Sequence, residues 1–218
     1  MKSWVLYHGQ GYLVVNKPAG VLSQRDKSGD EDLATLLNQE LKLPFLAPVH
    51  RLDRNTSGLI LLATDSATAK ALTDQLQANE IEKTYLAIAK GDPGPAGTYD
   101  QPLRKDEARN QSFVHPKGDK ALTHFTQLQK LGNSSLMEVR IETGRPHQIR
   151  AHFAHAGHAL LGDRKYGKKP WSEIFGRPAL HSARLKLADP KTRQVKEFKA
   201  GLPDDMRQLL LKLGGKPL

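Results

Sequence analysis

Residues 48–63 read P-V-H-R-L-D-R-N-T-S-G-L-I-L-L-A, from Pro48 to Ala63, and place one acid, Asp53, between Arg51 and Arg54. His50 precedes this trio and Thr56-Ser57-Gly58 follows it. Leu59-Ile60-Leu61-Leu62 then runs on as an apolar segment with the length and bounding of a fully buried strand. A carboxylate on a polar loop leading into such a strand is rigidly backed yet open to a ligand, which is how reactive groups are usually mounted. In isolation, Arg-Leu-Asp-Arg also reads as a surface ion pair, and Thr-Ser-Gly as a plain turn.

Around this stretch lies a chain of 218 residues, long enough for one large domain or two small ones with a sizeable core. An apolar fraction of 38% and a charged fraction of 26% are those of an ordinary soluble globule. There is no cysteine, so disulfides and thiolate metal sites are excluded, and a reducing cytosol is compatible. The first residues, Met1 to His8, hold too short an apolar run for a signal peptide, and no run approaches a membrane span. A soluble, cytoplasmic protein is expected. The net charge of +10 is unevenly placed: residues 1–139 carry 16 Lys/Arg against 16 Asp/Glu, and residues 140–200 carry 14 against 5. A basic half beside a neutral half suggests a face for a polyanion, most simply nucleic acid; a generally solvated basic surface is the plainer reading.

Working outward, Tyr12-Leu13-Val14-Val15-Asn16-Lys17 reads as a strand that Pro18-Ala19-Gly20 ends in a turn. Residues 21–30 are polar and expected to be mobile. Asp30 is expected to cap a helix whose Leu33, Leu36, Leu37 and Leu41 recur at helical spacing. Thr64 or Asp65 should cap a second, with Ala69, Leu72 and Leu76 on one face. Glu82 to Ala89 is strand-like, and residues 91–120, rich in Gly and Pro, read as loop. Met137, Val139 and Ile141 alternate with charged residues as in a half-buried strand. That strand leads into Thr143-Gly144-Arg145-Pro146-His147-Gln148-Ile149-Arg150-Ala151-His152, where Pro146 suits a first helical position. Ile149, His152, Phe153 and Ala156 would form the buried stripe of a helix ended by Gly157. Arg150, beside that stripe, needs an acidic partner, because a desolvated lone charge is costly. Asp189-Pro190 makes a turn before a hairpin strand at 194–199, and Met206, Leu209, Leu210 and Leu213 mark a last helix stopped by Gly214. Strands and helices without regular alternation indicate an α+β fold.

The 48–63 string resembles the H-R-L-D-x-x-T-S-G-L-x-L-x-A signature of the RluA family of pseudouridine synthases, whose catalytic residue is the Asp. His50 and Ser57 favour that family over the related RsuA family, which usually has Gly-Arg-Leu-Asp and lacks the Ser. Y-x-V-V-N-K-P-A-G at 12–20 is similar to the family's first motif, whose Lys and Pro help shape the active-site region. Lys83-Thr84-Tyr85-Leu86-Ala87 resembles its K-x-Y-x-A element, so Tyr85 would pack against the target base; spacing alone makes Tyr85 ordinary strand packing. The 143–152 string resembles T-G-R-x-H-Q-I/L-R-x-H, whose last Arg pairs with the catalytic Asp. The resemblance therefore assigns Arg150 to Asp53 and puts Ile149 in the pocket lining. Leu161-Gly162-Asp163-Arg164-Lys165-Tyr166-Gly167 and Leu180-His181-Ser182-Ala183-Arg184-Leu185 resemble further elements, with Ser182 where Ala is commoner. Pro102-Leu103-Arg104 and the segment from Lys120 to Phe125 fit more loosely.

The resemblance spans about residues 12 to 187. It implies one catalytic domain over 1–218, without the separate N-terminal RNA-binding domain of many relatives. The implied fold is a mixed, mostly antiparallel sheet with flanking helices and a central cleft. The implied reaction isomerises a flipped-out uridine in large-subunit rRNA or tRNA and requires no cofactor or metal, because no group is gained and no electron lost. Asp53 would be nucleophile or base, kept ionised by Arg150. Arg51 would fill the space left by the base or touch the RNA backbone, and Arg145, Lys165 and Lys168 would bind phosphate. The expected working form is a monomer. Specificity would reside in loops 21–30 and 91–118. His147, His152, His155 and His158 invite a metal reading, but their spacing lacks an H-E-x-x-H pattern, and they should cap, pack or meet phosphate. Two other classes remain: a non-catalytic RNA-binding protein on the same fold, and a metal-dependent phosphodiesterase using Asp53 with the histidines.

Overall fold

The structure, a computed structural model, describes residues 2–218. Its regular elements in chain order begin with β1 (Val5–His8), β2 (Tyr12–Lys17), α1 (Leu33–Leu41), β3 (Ala47–Pro48), β4 (Ser57–Ala63) and α2 (Ser66–Gln77). There follow β5 (Glu82–Lys90), β6 (Ala96–Tyr99), β7 (Leu103–Asp106), β8 (Gln111–Val114), β9 (Thr123–Leu131), β10 (Ser134–Ile141) and α3 (Gln148–His155). β11 (Leu180–Ala188), β12 (Val195–Lys199) and α4 (Asp204–Lys212) complete the chain. This is the expected α+β architecture. The chain divides into two compact units, Met1–Glu82 with Ser182–Ala200, and Lys83–His181 with Gly201–Leu218.

In the first unit the strands lie in the order β1-β2-β4-β11, with β12 on β11. β2 pairs antiparallel with β4, Tyr12 opposite Ala63 and Lys17 opposite Gly58. Every residue of β4 is buried, as its unbroken apolar run requires of a strand covered on both faces. Tyr12, Val14, Leu59 and Leu61 meet Leu72 of α2 and Leu185 and Leu187 of β11 in one cluster, each such buried side chain being worth roughly 2 kcal/mol. Gly58 cannot be replaced in this arrangement. Its φ is +111°, and a Cβ there would fall 2.2 Å from the Ser182 carbonyl oxygen. Ser182 itself is fully buried, and its hydroxyl finds no partner among the described residues. An alanine would leave no such orphan.

Two expected caps are placed by the structure. Asp65 caps α2, accepting from the Thr68 backbone N–H at 2.7 Å. α1 is capped by Asp32, not Asp30: Asp32 Oδ1 accepts from the Thr35 N–H at 2.8 Å, while Asp30 pairs with Arg54. The carboxylate directly before the first helical residue reaches the free N–H groups, and one two positions earlier does not. The polar stretch 21–30 is anchored at its start, where Leu22 and Ser23 are buried and Leu22 bridges Asp32.

In the second unit the order is β5-β10-β9-β6, with β7 and β8 forming a separate hairpin. The stretch 91–120 thus holds three short strands in place of the expected loop. Their own apolar pattern is weak, and β6 is defined by its partner β9, Thr98 lying opposite His124. One face of the sheet packs Ile88, Leu131 and Leu136 against Met206, Leu209 and Leu210 of α4. The other face packs Phe125 and Tyr99 against Phe153 of α3, with ring centroids 5.6 and 5.3 Å away. Phe125 lies opposite Val139 and Val139 opposite Tyr85; Thr123 lies opposite Ile141 and Ile141 opposite Lys83. Directly opposed residues share a face, so Tyr85 and Lys83 sit on the α3 side of the sheet. No helix among the described residues is long and apolar enough to cross a membrane.

Candidate active site

Asp53 stands where the chain enters β4, partly exposed, and both of its neighbours are held by their backbones. Ser23 Oγ accepts from the Leu52 N–H at 3.0 Å and donates to the Leu52 carbonyl at 2.8 Å. On the other side the Arg54 carbonyl accepts from the Gly20 N–H at 2.8 Å and from Lys17 Nζ at 3.1 Å. Lys17 is fully buried, and its ammonium also donates to the carbonyls of Pro18 and Val21. A buried charge is tolerable when hydrogen bonds replace its water, as here. The Asp53 carbonyl accepts from the Thr56 N–H at 2.9 Å, closing the turn. His50 supports the strand behind it, its Nε2 accepting from the Leu61 N–H at 3.2 Å. Arg54 is committed to the loop through Gly20 and Asp30, whereas Arg51 is exposed.

Ser23 lies in a stretch that reads from sequence only as polar loop, and nothing local marks it. Replacing Ser23 by Ala strips both partners from a buried peptide unit, an expected loss of about 1–3 kcal/mol. Because it also loosens the backbone beside Asp53, turnover should fall roughly 10- to 100-fold. Thermal melting and product formation measured on the same variant check this; unchanged values in both would remove Ser23 from the mount.

In the second unit, the turn leading to α3 is closed by Gln148, a residue that sequence reasoning misses. Its Oε1 accepts from Thr143 Oγ1 at 2.7 Å and from the Arg145 N–H at 3.0 Å, while its Nε2 donates to the Leu122 carbonyl at 2.9 Å. The helix begins at Gln148, later than Pro146 suggests, because His147 takes a left-handed conformation with φ of 53°. All residues from Gln148 to Phe153 are buried, so α3 is enclosed well beyond a single stripe. Ile149 and Tyr85 are both among the buried side chains.

Arg150 does meet a carboxylate in this unit, that of Asp163. Arg150 Nε donates to Asp163 Oδ2 at 2.7 Å and one terminal nitrogen to Oδ1 at 2.9 Å, with Asp163 fully buried. Asp163 Oδ1 also accepts from the Lys165 and Tyr166 N–H groups, at 3.1 and 3.3 Å. The guanidinium lies 5.1 Å from the centroid of the Tyr166 ring. Tyr166 Oη accepts from the Ser112 N–H at 2.7 Å and lies 3.0 Å from His147 Nδ1. The Gly-Asp-x-x-Tyr segment is therefore the seat on which Arg150 rests.

Burial holds His152 below the usual imidazole range against the opposing hydrogen bond to the Gln101 carbonyl, and its Nδ1 is 2.9 Å from Thr123 Oγ1. His158 Nδ1 is 3.0 Å from the Lys90 carbonyl. No group of three or more His, Asp or Glu among the described residues is placed to hold a metal ion. Of the phosphate candidates, Arg145 is exposed, donates to the Lys120 carbonyl and lies 3.8 Å from Asp119. Lys165 Nζ donates to the Asn110 carbonyl at 2.9 Å, and Lys168 is exposed. Several cations of the basic segment are matched inside the fold, among them Arg177 by Asp205, Arg184 by Glu197 and Lys196 by Asp189.

A family profile described as RNA pseudouridylate synthase matches residues 11–155. The chain is 36% identical over 226 residues to the ribosomal large subunit pseudouridine synthase D of Haemophilus influenzae, covering 94% of this chain and 69% of that protein. To an uncharacterized RNA pseudouridine synthase of Chloroflexus aurantiacus it is 39% identical over 208 residues, 91% and 65% of the two lengths. Among solved structures, human RNA pseudouridylate synthase domain containing 4 has a TM-score of 0.80 at 23% identity, with 100% of this chain and 95% of that one covered. That last likeness is one of fold.

Proposed function

The chain belongs to the RNA pseudouridylate synthase family, isomerases acting on RNA, and from that premise we propose that it converts specific uridines of large-subunit rRNA to pseudouridine through Asp53. One observation carries the residue assignment. A partly exposed carboxylate sits at the mouth of a fully buried strand, with the peptide units on both sides of it fixed by hydrogen bonds. Such preorganisation is what a reacting group needs.

The reaction breaks the bond from ribose C1′ to N1 of uracil, rotates the base and rejoins it through C5. Atoms and electrons balance within the nucleotide, so the protein must expose the bond, retain the base and supply one anionic oxygen. The base leaves its stack at a cost of a few kcal/mol, on the order of that for other flipped bases. In this proposal Asp53 acts on the sugar or the base, and Arg150 pairs with Asp53. Tyr85 stacks on the uracil, and Ile149 lines the pocket. Arg51 occupies the space the base vacates or touches the backbone, and Arg145, Lys165 and Lys168 meet phosphate. A tRNA uridine is the second substrate to examine. Mapping pseudouridine across total RNA from cells with and without the gene should show one or a few large-subunit rRNA positions lost on deletion. Identical maps would overturn the proposal.

A further inference from the structure

Lys83 is 7% exposed, and its side chain has neither a hydrogen bond nor an ion pair among the described residues. It stands on the α3 face of the sheet, two residues before Tyr85 on β5, roughly 7 Å along the strand. Its ammonium reaches the turn before α3: Nζ lies 3.9 Å from where a Cβ on Gly144 would be. The acids nearest in the strand register are committed elsewhere, Glu82 to Lys186 at 2.7 Å and Glu142 to His124 at 2.8 Å. Burial pushes the Lys83 amine below the usual lysine range, as expected of a desolvated cation without a counter-charge. Lys17, the other deeply buried lysine, is enclosed by carbonyls. Lys83 is not, and packing alone would be better served by an apolar side chain.

Taking the proposed function as its basis, we propose that the Lys83 ammonium faces the flipped-out uracil and meets the negative charge that develops on the base as its glycosidic bond breaks. Cleavage leaves the C1′–N1 electron pair on the ring, spread over N1, O2 and O4. Rejoining forms the C1′–C5 bond, C5 gives up its proton and N1 takes one up, so the charge is transient. A fixed cation in a dry pocket acts most strongly on charge of that kind. A phosphodiester, by contrast, is charged throughout and can be met by exposed cations. Lys83 thereby joins Tyr85 as a base-contacting residue.

The test uses the whole chain as wild type, Lys83→Met and Lys83→Arg, with large-subunit rRNA from cells lacking the gene as probe. Single-turnover rates at saturating enzyme and dissociation constants by filter binding are measured in parallel. Lys83→Met should lower the maximal rate about 100- to 1,000-fold with the dissociation constant within about threefold of wild type, and Lys83→Arg should regain at least about tenfold. Lys83→Met should melt at or above the wild-type temperature, since it removes an unpaired buried charge. A maximal rate near wild type, a loss confined to binding, no regain with Arg, or a lowered melting temperature would each overturn the assignment. Wild-type protein that forms no pseudouridine would instead sink the proposed function itself.

Discussion

Asp53→Asn should lose pseudouridine formation by on the order of 10⁴-fold or more, as expected when the reacting group itself is removed. The amide keeps the size of the side chain and leaves untouched the turn bond from the Thr56 N–H to the Asp53 carbonyl, which is backbone to backbone. What it removes is the negative charge and the ability to accept a proton or attack carbon. The proposed reaction balances within the nucleotide, and in that proposal Asp53 is the group that supplies this chemistry. Because the side chain is partly exposed and Arg150 keeps its pair with Asp163, melting should fall by at most about 4 °C. RNA affinity should be nearly unchanged, since the proposed phosphate contacts are made by cations and not by Asp53. Turnover within tenfold of wild type in a folded Asn variant would end the assignment of Asp53.

The largest stability effect is expected at Asp163. Asp163→Ala leaves the Arg150 guanidinium in a buried site without the carboxylate that grips it at 2.7 and 2.9 Å, and strips an acceptor from two backbone N–H groups. Breaking a buried pair from one side typically destabilises by about 3–5 kcal/mol. At this chain length that is roughly 6–20 °C in melting temperature. Arg150→Met combined with Asp163→Leu should recover part of the loss, because replacing both partners by apolar groups removes the charge imbalance, while the Lys165 and Tyr166 N–H groups still lack their acceptor. If Arg150 also serves Asp53, the double variant will be partly restabilised yet slow. That split separates the two roles of one arginine. A single Asp163→Ala variant melting within about 2 °C of wild type would show that the pair is not the anchor its geometry indicates.

Arg150 also illustrates how far sequence reasoning reaches. Its place beside an apolar helical stripe requires an acid, and the structure supplies a fully buried one in Asp163. The Leu-Gly-Asp-x-x-Tyr string stands out in the sequence, but nothing in its local pattern says which cation it serves. Tyr85 and Lys83 share a strand that is legible from its β-branched and apolar content, and Tyr85 is singled out by resemblance. Lys83 becomes noticeable only once its burial and lack of a partner are known. Pro146 suits a first helical residue on good local grounds, yet the helix waits for Gln148, whose side chain closes the turn against Leu122, a residue 26 positions earlier.

By itself the sequence determined the class of fold, the buried strand behind Asp53, the existence of the helices that carry Leu33 to Leu41, Ala69 to Leu76 and Met206 to Leu210, and the family, because periodicity and contiguous motifs are written locally. Tertiary structure decided how those parts are held: Ser23 on the Leu52 peptide, Lys17 under the Arg54 carbonyl, Asp163 beneath Arg150, and the short strands between 96 and 114 that exist through their neighbours. Each of these depends on which distant segments meet and which polar groups are thereby taken out of water. A hydrogen bond or an ion pair has large consequences only once burial removes the solvent that would otherwise replace it. Burial belongs to the folded chain and cannot be read from any one stretch of it.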